Sequence, residues 1–165
     1  METQMQNIDT DQEVKKTLTG ARLRSYAYAL LCKREYSKAE LREKLNHYAL
    51  DSEEVEKLLE EFSQYQYQSD QRVAEIVLAS QMRKGKGPRR IYQTLQQKQV
   101  DQDYIQEQVQ EIDWLEQAYQ LKVKKYGFEV TKDPKLQAKQ IRFLQYRGFD
   151  MDVILKAVRR EAQEE

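Results

Sequence analysis

Apolar residues along the chain fall at helical spacing. Leu23, Tyr26, Ala27, Leu30 and Leu31 follow one another by one, three or four positions, which gathers them on one face of a helix. Val73, Ile76 and Val77 begin the same pattern again, and Leu115, Ala118, Tyr119 and Val123 repeat it a third time. A second signal keeps register with the first. Leu50, Val100 and Phe149 each precede an aspartate, with Leu45, Leu95 and Leu144 five positions before them and Val55, Ile105 and Ile154 five after. A period of about 50 residues with three apolar stretches in each unit predicts a helical repeat protein, in which neighbouring units cover one another's open faces.

Helix starts are marked in the sequence. Ser37 with Glu40 forms a capping box, Asp51 with Glu54 forms a similar one, Gly87-Pro88 puts proline at a first helical position, and Asp101 caps the helix after it. The predicted fold is all-α, with three tandem three-helix repeats in an elongated, curved arrangement. Its parts are an N-terminal tail over 1–20 and repeats over 21–69, 70–113 and 114–165, the last with an insertion around Tyr126 to Pro134. Tyr26, Tyr104, Tyr119 and Cys32 are expected in cores, His47 on a helix surface, and Trp114 between the second and third repeats.

Composition supports this reading. Five glycines and two prolines in 165 residues are too few for a many-turned β protein, and 34% charged residues point to small cores. Cys32 stands alone, no apolar run approaches a membrane span, and the first residues lack a signal-peptide pattern. The expectation is therefore a monomer of the reducing cytoplasm, without membrane contact. No nucleophile-and-base pair or metal-ligand spacing stands out, so neither catalysis, a cofactor nor a small-molecule substrate is expected.

Charge changes the picture. The chain is formally neutral, yet no acid lies between Glu75 and Asp101, where Arg83, Lys84, Lys86, Arg89, Arg90 and Lys98 fall. The next stretch, Asp101 to Glu116, is acidic and has no base, and Lys122, Lys124, Lys125, Lys139, Arg142 and Arg147 lie in a further basic stretch. Stacked repeats would extend these blocks into a basic and an acidic stripe. A basic stripe binds polyanions whatever the net charge. In MRKGKGPRR, Met82 to Arg90, two glycines would let the backbone approach a phosphate, and the next helix would offer free N–H groups. The order is not that of a nucleotide-binding P-loop. A helix-turn-helix protein reads bases with its third helix, but here the third helices are acidic and would be repelled from a groove. Backbone tracking fits better, with Tyr92, Tyr126 or Tyr146 as stacking platforms. The twelve basic residues named from Arg83 to Arg147 are thus candidate DNA or filament contacts, and Glu107 and Glu111 candidate contacts to a protein.

KREYSKAELREKL, Lys33 to Leu45, and YQSDQRVAEIVLASQMRKGKGPRRIYQTLQQKQV, Tyr67 to Val100, resemble the RecX family of bacterial regulators, as does RFLQYRGFDMDVI, Arg142 to Ile154. The resemblance runs from about Ala21 to the C-terminus. It implies a non-enzymatic protein of three three-helix repeats. Such a protein lies in the groove of the RecA filament on single- or double-stranded DNA and inhibits recombinase, ATPase and coprotease activities. One departure is Gln99, which stands after Lys98 where the family commonly has glycine. The alternative is a helical scaffold that binds proteins without DNA.

Overall fold

The computed structural model describes residues 15–163, so the proposed tail lies largely outside the described residues. Three helix triplets follow one another. The first is α1 (Gly20–Lys33), α2 (Lys38–Tyr48) and α3 (Ser52–Gln64), and the second is α4 (Asp70–Arg83), α5 (Pro88–Gln97) and α6 (Gln106–Glu111). The third is α7 (Trp114–Tyr126), α8 (Pro134–Arg147) and α9 (Met151–Arg159). A 3₁₀ turn over Gln102–Ile105 leads into α6, so the expected single helix there is divided. Among the described residues the only β pairing is an isolated bridge between Leu18 and Ala49, and no helix is long and apolar enough to cross a membrane.

The caps hold largely as their chemistry requires. Ser37 and Glu40 form the complete reciprocal box, and Asp51 and Asp101 accept from the N–H groups of Glu53 and Asp103. Glu54 acts differently from expectation. Its carboxylate turns to α1, accepting from the Thr19 hydroxyl at 2.7 Å and from the Gly20 N–H, so α3 supplies the missing cap of α1.

Each repeat closes its own core. Leu45, Leu95 and Leu144, with Val55, Ile105 and Ile154, are all fully buried, so the period read from them is the period of the cores. The residue between them is offset in the first repeat. Val100 and Phe149 are buried because Gln99 (φ 54°) and Gly148 (φ 97°) take left-handed conformations, letting the N–H of Val100 bond Leu95 and that of Phe149 bond Leu144. Gln99 thus performs the turn that a glycine would, at some conformational cost. Helix α2 has no such residue. Ala49 fills the buried place, and Leu50 points outward, 66% exposed, with its N–H on the Leu18 carbonyl.

Other core expectations divide. Tyr119 is buried, Tyr26 half-buried and His47 exposed, whereas Tyr104, Ile76 and Cys32 lie at the surface. Tyr104 follows from the 3₁₀ turn, whose three-residue pitch rotates it off the face that Ile105 occupies. Trp114 packs against both the second and third cores, as its place in the sequence suggests.

The repeats do not share one continuous core; their joints are largely polar. At the first joint Ser37 donates to the Lys98 carbonyl at 2.7 Å, the Lys38 N–H donates to Asp70, and Arg72 pairs with Glu35 at 2.9 Å. At the second, the Gly87 N–H donates to the Arg147 carbonyl at 2.8 Å and the Arg89 N–H to Gly148 at 3.0 Å. In both, the start of a repeat's second helix meets the end of the next repeat's second helix. The same step taken twice, with no hydrogen bond or ion pair joining the first and third repeats among the described residues, produces an extended string of units.

Candidate nucleic-acid interface

The second joint builds a groove of about 890 Å³. Arg83 and Lys84 come from the end of α4, Lys124 and Lys125 from the last turn of α7, and Arg147 from the end of α8. Three helix C-termini converge here, and their partial negative charge favours cations in their last turns. No carboxylate lines the groove, and none of these five cations has a carboxylate partner among the described residues. Met82, Leu121, Val123 and Phe143 contribute apolar walls. The Lys125 ammonium stands 4.3 Å from the Phe143 ring centroid and the Arg147 guanidinium 5.3 Å, so the ring holds two of the cations over an apolar surface. Spacing alone does not reveal Phe143, although it lies one turn before Arg147 on α8.

The MRKGKGPRR turn is built for this joint. Gly85, at φ 71°, lets the turn settle on α7, where an added Cβ would lie 3.0 Å from Leu121. At Gly87 a Cβ would lie 2.5 Å from the Gly148 carbonyl oxygen. The close approach that Gly87 permits is therefore to the neighbouring repeat's backbone and not to a phosphate. The Arg89 N–H at the start of α5 is likewise occupied, by Gly148. Lys86 is half-buried, and that burial, with Arg147, Arg90 and Lys84 nearby, holds its ammonium below the usual range. Uncompensated positive potential gathers at this end of the joint.

The other candidate residues separate by environment. Lys139 and Arg142 are exposed on α8, and Glu107 and Glu111 are exposed on α6, all four without an ion pair among the described residues. Arg90 is half-buried, donates to the Tyr146 carbonyl and lies 5.3 Å from its ring centroid. Of the three tyrosines expected to offer stacking faces, only Tyr146 is exposed; Tyr92 and Tyr126 are partly buried. Arg89, though exposed, pairs with Asp150 at 2.6 Å, and Lys98 pairs with Glu40 at 3.4 Å, so both charges serve joints. Lys122 corrects the sequence reading outright. It has no exposed surface, and its ammonium donates to the Glu129 carbonyl at 3.0 Å, tying α7 to the insertion.

In the first repeat the expected basic stripe is largely neutralised, with Arg22, Lys33 and Lys44 left without a carboxylate partner among the described residues. There Arg24 pairs with Glu61, Arg42 with Glu56 and Lys38 with Glu60, so acidic α3 neutralises the basic helices beside it.

Burial pushes the Lys122 ammonium below its usual range, with Glu129 only partly opposing it. The folded chain then binds this proton less tightly than the unfolded chain. Below the lowered folded value the burial penalty is present in full, and it fades as pH rises towards the ordinary lysine range. Lys122→Met should stabilise the protein at pH 7 by about 1 kcal/mol, roughly 2–4 °C in melting temperature, with the gain shrinking as pH rises towards about 10. Paired thermal melts at pH 7 and 10 measure this; a variant that melts lower at pH 7 refutes it.

Comparison with known proteins agrees with this architecture. Residues 69–107 match the second three-helix domain of RecX and residues 111–158 its third. The chain is 61% identical over 153 residues to the regulatory protein RecX of Acinetobacter baylyi, covering 93% of this chain and 96% of that one. It is 39% identical to that of Legionella pneumophila over 132 residues, covering 79% and 88%. A crystal structure of RecX from Lactobacillus salivarius superposes with a TM-score of 0.69 at 18% identity, over 84% of this chain and 93% of that one, so the fold persists where little sequence is shared. With two of its three repeats matched by the family's own domains and near full-length relatives within it, this chain belongs to the RecX family.

Proposed function

We propose that this protein is a non-catalytic negative regulator of the RecA recombinase, lying along the groove of the RecA–DNA filament with its second joint against the DNA backbone. The observation that carries the reading is the carboxylate-free groove in which Arg83, Lys84, Lys124, Lys125 and Arg147 converge from two repeats. Phosphates entering it would release counterions and meet cations that no carboxylate among the described residues neutralises. Lys139, Arg142 and exposed Tyr146 extend the contact along α8, by charge and by a stacking face. Glu107 and Glu111, unpaired among the described residues and repelled by phosphate, face recombinase side chains in this arrangement. Inhibition of ATPase, strand exchange and coprotease activity then follows from occupying the groove that those activities use.

The test is the DNA-dependent ATPase rate of RecA filaments as the protein is titrated in at two salt concentrations. The rate falls at substoichiometric protein, and more protein is needed at higher salt. No fall at saturating, folded protein would exclude the filament reading and favour a scaffold that binds proteins alone.

A further inference from the structure

The first repeat carries a surface of a different kind. Tyr65, Tyr67 and Tyr28 are 65%, 47% and 38% exposed, and they form one array. The rings of Tyr65 and Tyr67 are stacked, with centroids 5.8 Å apart and planes 24° from parallel, and Tyr28 meets Tyr67 at 5.7 Å. Beneath them Phe62, fully buried, touches both Tyr28 and Tyr67 and anchors the array in the core. The backbone is built to present it. Gln66 takes a left-handed conformation at φ 60°, and Arg72 donates to the carbonyls of Gln66 and Tyr67. Three tyrosines held in place at a surface form a contact of the type that dominates protein interfaces.

The charge around the array selects its partner. Arg24, one turn before Tyr28, is bound to Glu61, and Arg72 is bound to Glu35, so the neighbouring guanidiniums are already committed. Tyr65 caps the C-terminal end of α3, a helix with no base in its last turn, and Glu60 on that helix, although 3.6 Å from the Lys38 ammonium, keeps most of its side chain in solvent. This contrasts with α4, α7 and α8, whose C-termini carry their own cations. Three tyrosine rings elsewhere do carry a guanidinium: Arg34 lies 3.6 Å from the Tyr36 centroid, Arg160 4.2 Å from Tyr119 and Arg90 5.3 Å from Tyr146. Among the described residues no cation covers Tyr28, Tyr65 or Tyr67.

We infer that the Tyr28, Tyr65 and Tyr67 face binds an arginine-bearing surface of a partner protein, a guanidinium stacking on the open tyrosine rings beside the C-terminal end of α3, which carries no cation of its own. The site is opposite in sign to the groove at the second joint. It makes the molecule two-ended: a polyanion site between the second and third repeats, and a cation-accepting aromatic site on the first.

The test uses the full chain and probes that include no recombinase, so its outcome is independent of the filament reading. In titrations followed by the ring proton resonances of the array, with those of Tyr28 common to wild type and every variant, hexa-arginine shifts them saturably. Tyr65→Leu with Tyr67→Leu weakens the peptide at least fivefold, while Tyr65→Phe with Tyr67→Phe, which keeps the ring faces, stays within twofold of wild type. Circular dichroism establishes that both pairs are folded; if the leucine pair is not, ring shifts in the wild type and the phenylalanine pair decide. Equal affinity of the leucine pair and wild type overturns the inference. So do ring shifts produced by oligo(dT) and not by hexa-arginine, which would make the array a nucleobase platform. Shifts that depend only on protein concentration overturn it as well, by making the array a self-association surface.

Discussion

Reversing Arg83, Lys84, Lys124 and Lys125 to glutamate should lower affinity for single-stranded DNA by at least a hundredfold at about 0.1 M salt while the protein stays folded, with a melting temperature only a few degrees lower. The expectation rests on where these side chains sit. All four are exposed, none is ion-paired among the described residues, and the groove they line has no carboxylate. Reversing them therefore breaks no ion pair; what is lost inside the chain is the Lys125 contact with Phe143 and the preference of helix ends for cations, about 0.3–1 kcal/mol each at exposed sites. For every phosphate no longer neutralised, the dependence of log affinity on log salt should also flatten by about 0.7 units on a single strand. Slope and affinity must change together. A fall in affinity with an unchanged slope would mean that the variant had altered something other than phosphate neutralisation. An unchanged affinity would move the DNA site away from the second joint, and Arg89→Glu gives the contrast. That residue is spent on Asp150, so its reversal should weaken the joint more than it removes a free charge.

How far the sequence alone carries one into this molecule depends on what kind of fact is asked for. The cores are legible because an apolar residue repeated at Leu45, Leu95 and Leu144, and again at Val55, Ile105 and Ile154, has one physical explanation, burial at equivalent places. The concentration of cations is legible for the same reason, as a pattern along the chain. Which cations stay free is not, because ion pairing is settled by residues far away in sequence: Glu40 takes Lys98, and Asp150 takes Arg89. Lys122 shows the limit from the other side. In sequence it belongs to the same basic block as Lys124 and Lys125, yet the turn of about 100° per residue on α7 carries it inward while they stay at the surface. Leu50 and Gln99 mark a third limit. Equivalent positions in a repeat hold only when the preceding turn has the same number of residues, and a left-handed residue ends α5 where an extended one ends α2. Gly85 and Gly87 are open in sequence to either meaning, a phosphate contact or a packing contact, since glycine signals only that something comes close.

The close approach at Gly87 produces the second large expected effect. Gly87→Ala should weaken single-stranded DNA binding at least tenfold although no charge is removed. The backbone at Gly87 has φ −86°, which any residue adopts, so alanine costs nothing in local conformation. Its Cβ would however stand 2.5 Å from the Gly148 carbonyl oxygen and 2.7 Å from the Phe149 nitrogen. Both are main-chain atoms of a tight turn and cannot swing aside as a side-chain tip would. The second joint must open, breaking the Gly87 bond to Arg147 and the Arg89 bond to Gly148, at a cost of about 1–3 kcal/mol. The groove is then divided, because Arg83 and Lys84 stand on one side of the joint and Lys124, Lys125 and Arg147 on the other. The chain's single tryptophan reports this directly. Trp114 donates its indole N–H to the Val109 carbonyl of the second repeat while its ring meets Phe149 of the third at 6.3 Å. Its emission should shift to the red in Gly87→Ala while far-ultraviolet circular dichroism is unchanged, since each repeat keeps its own core. Weakened DNA binding with both signals unchanged would place the loss at the turn itself and restore the phosphate role for Gly87. Undiminished binding with a red shift would show that either half of the groove suffices, and would confine the DNA contact to one repeat.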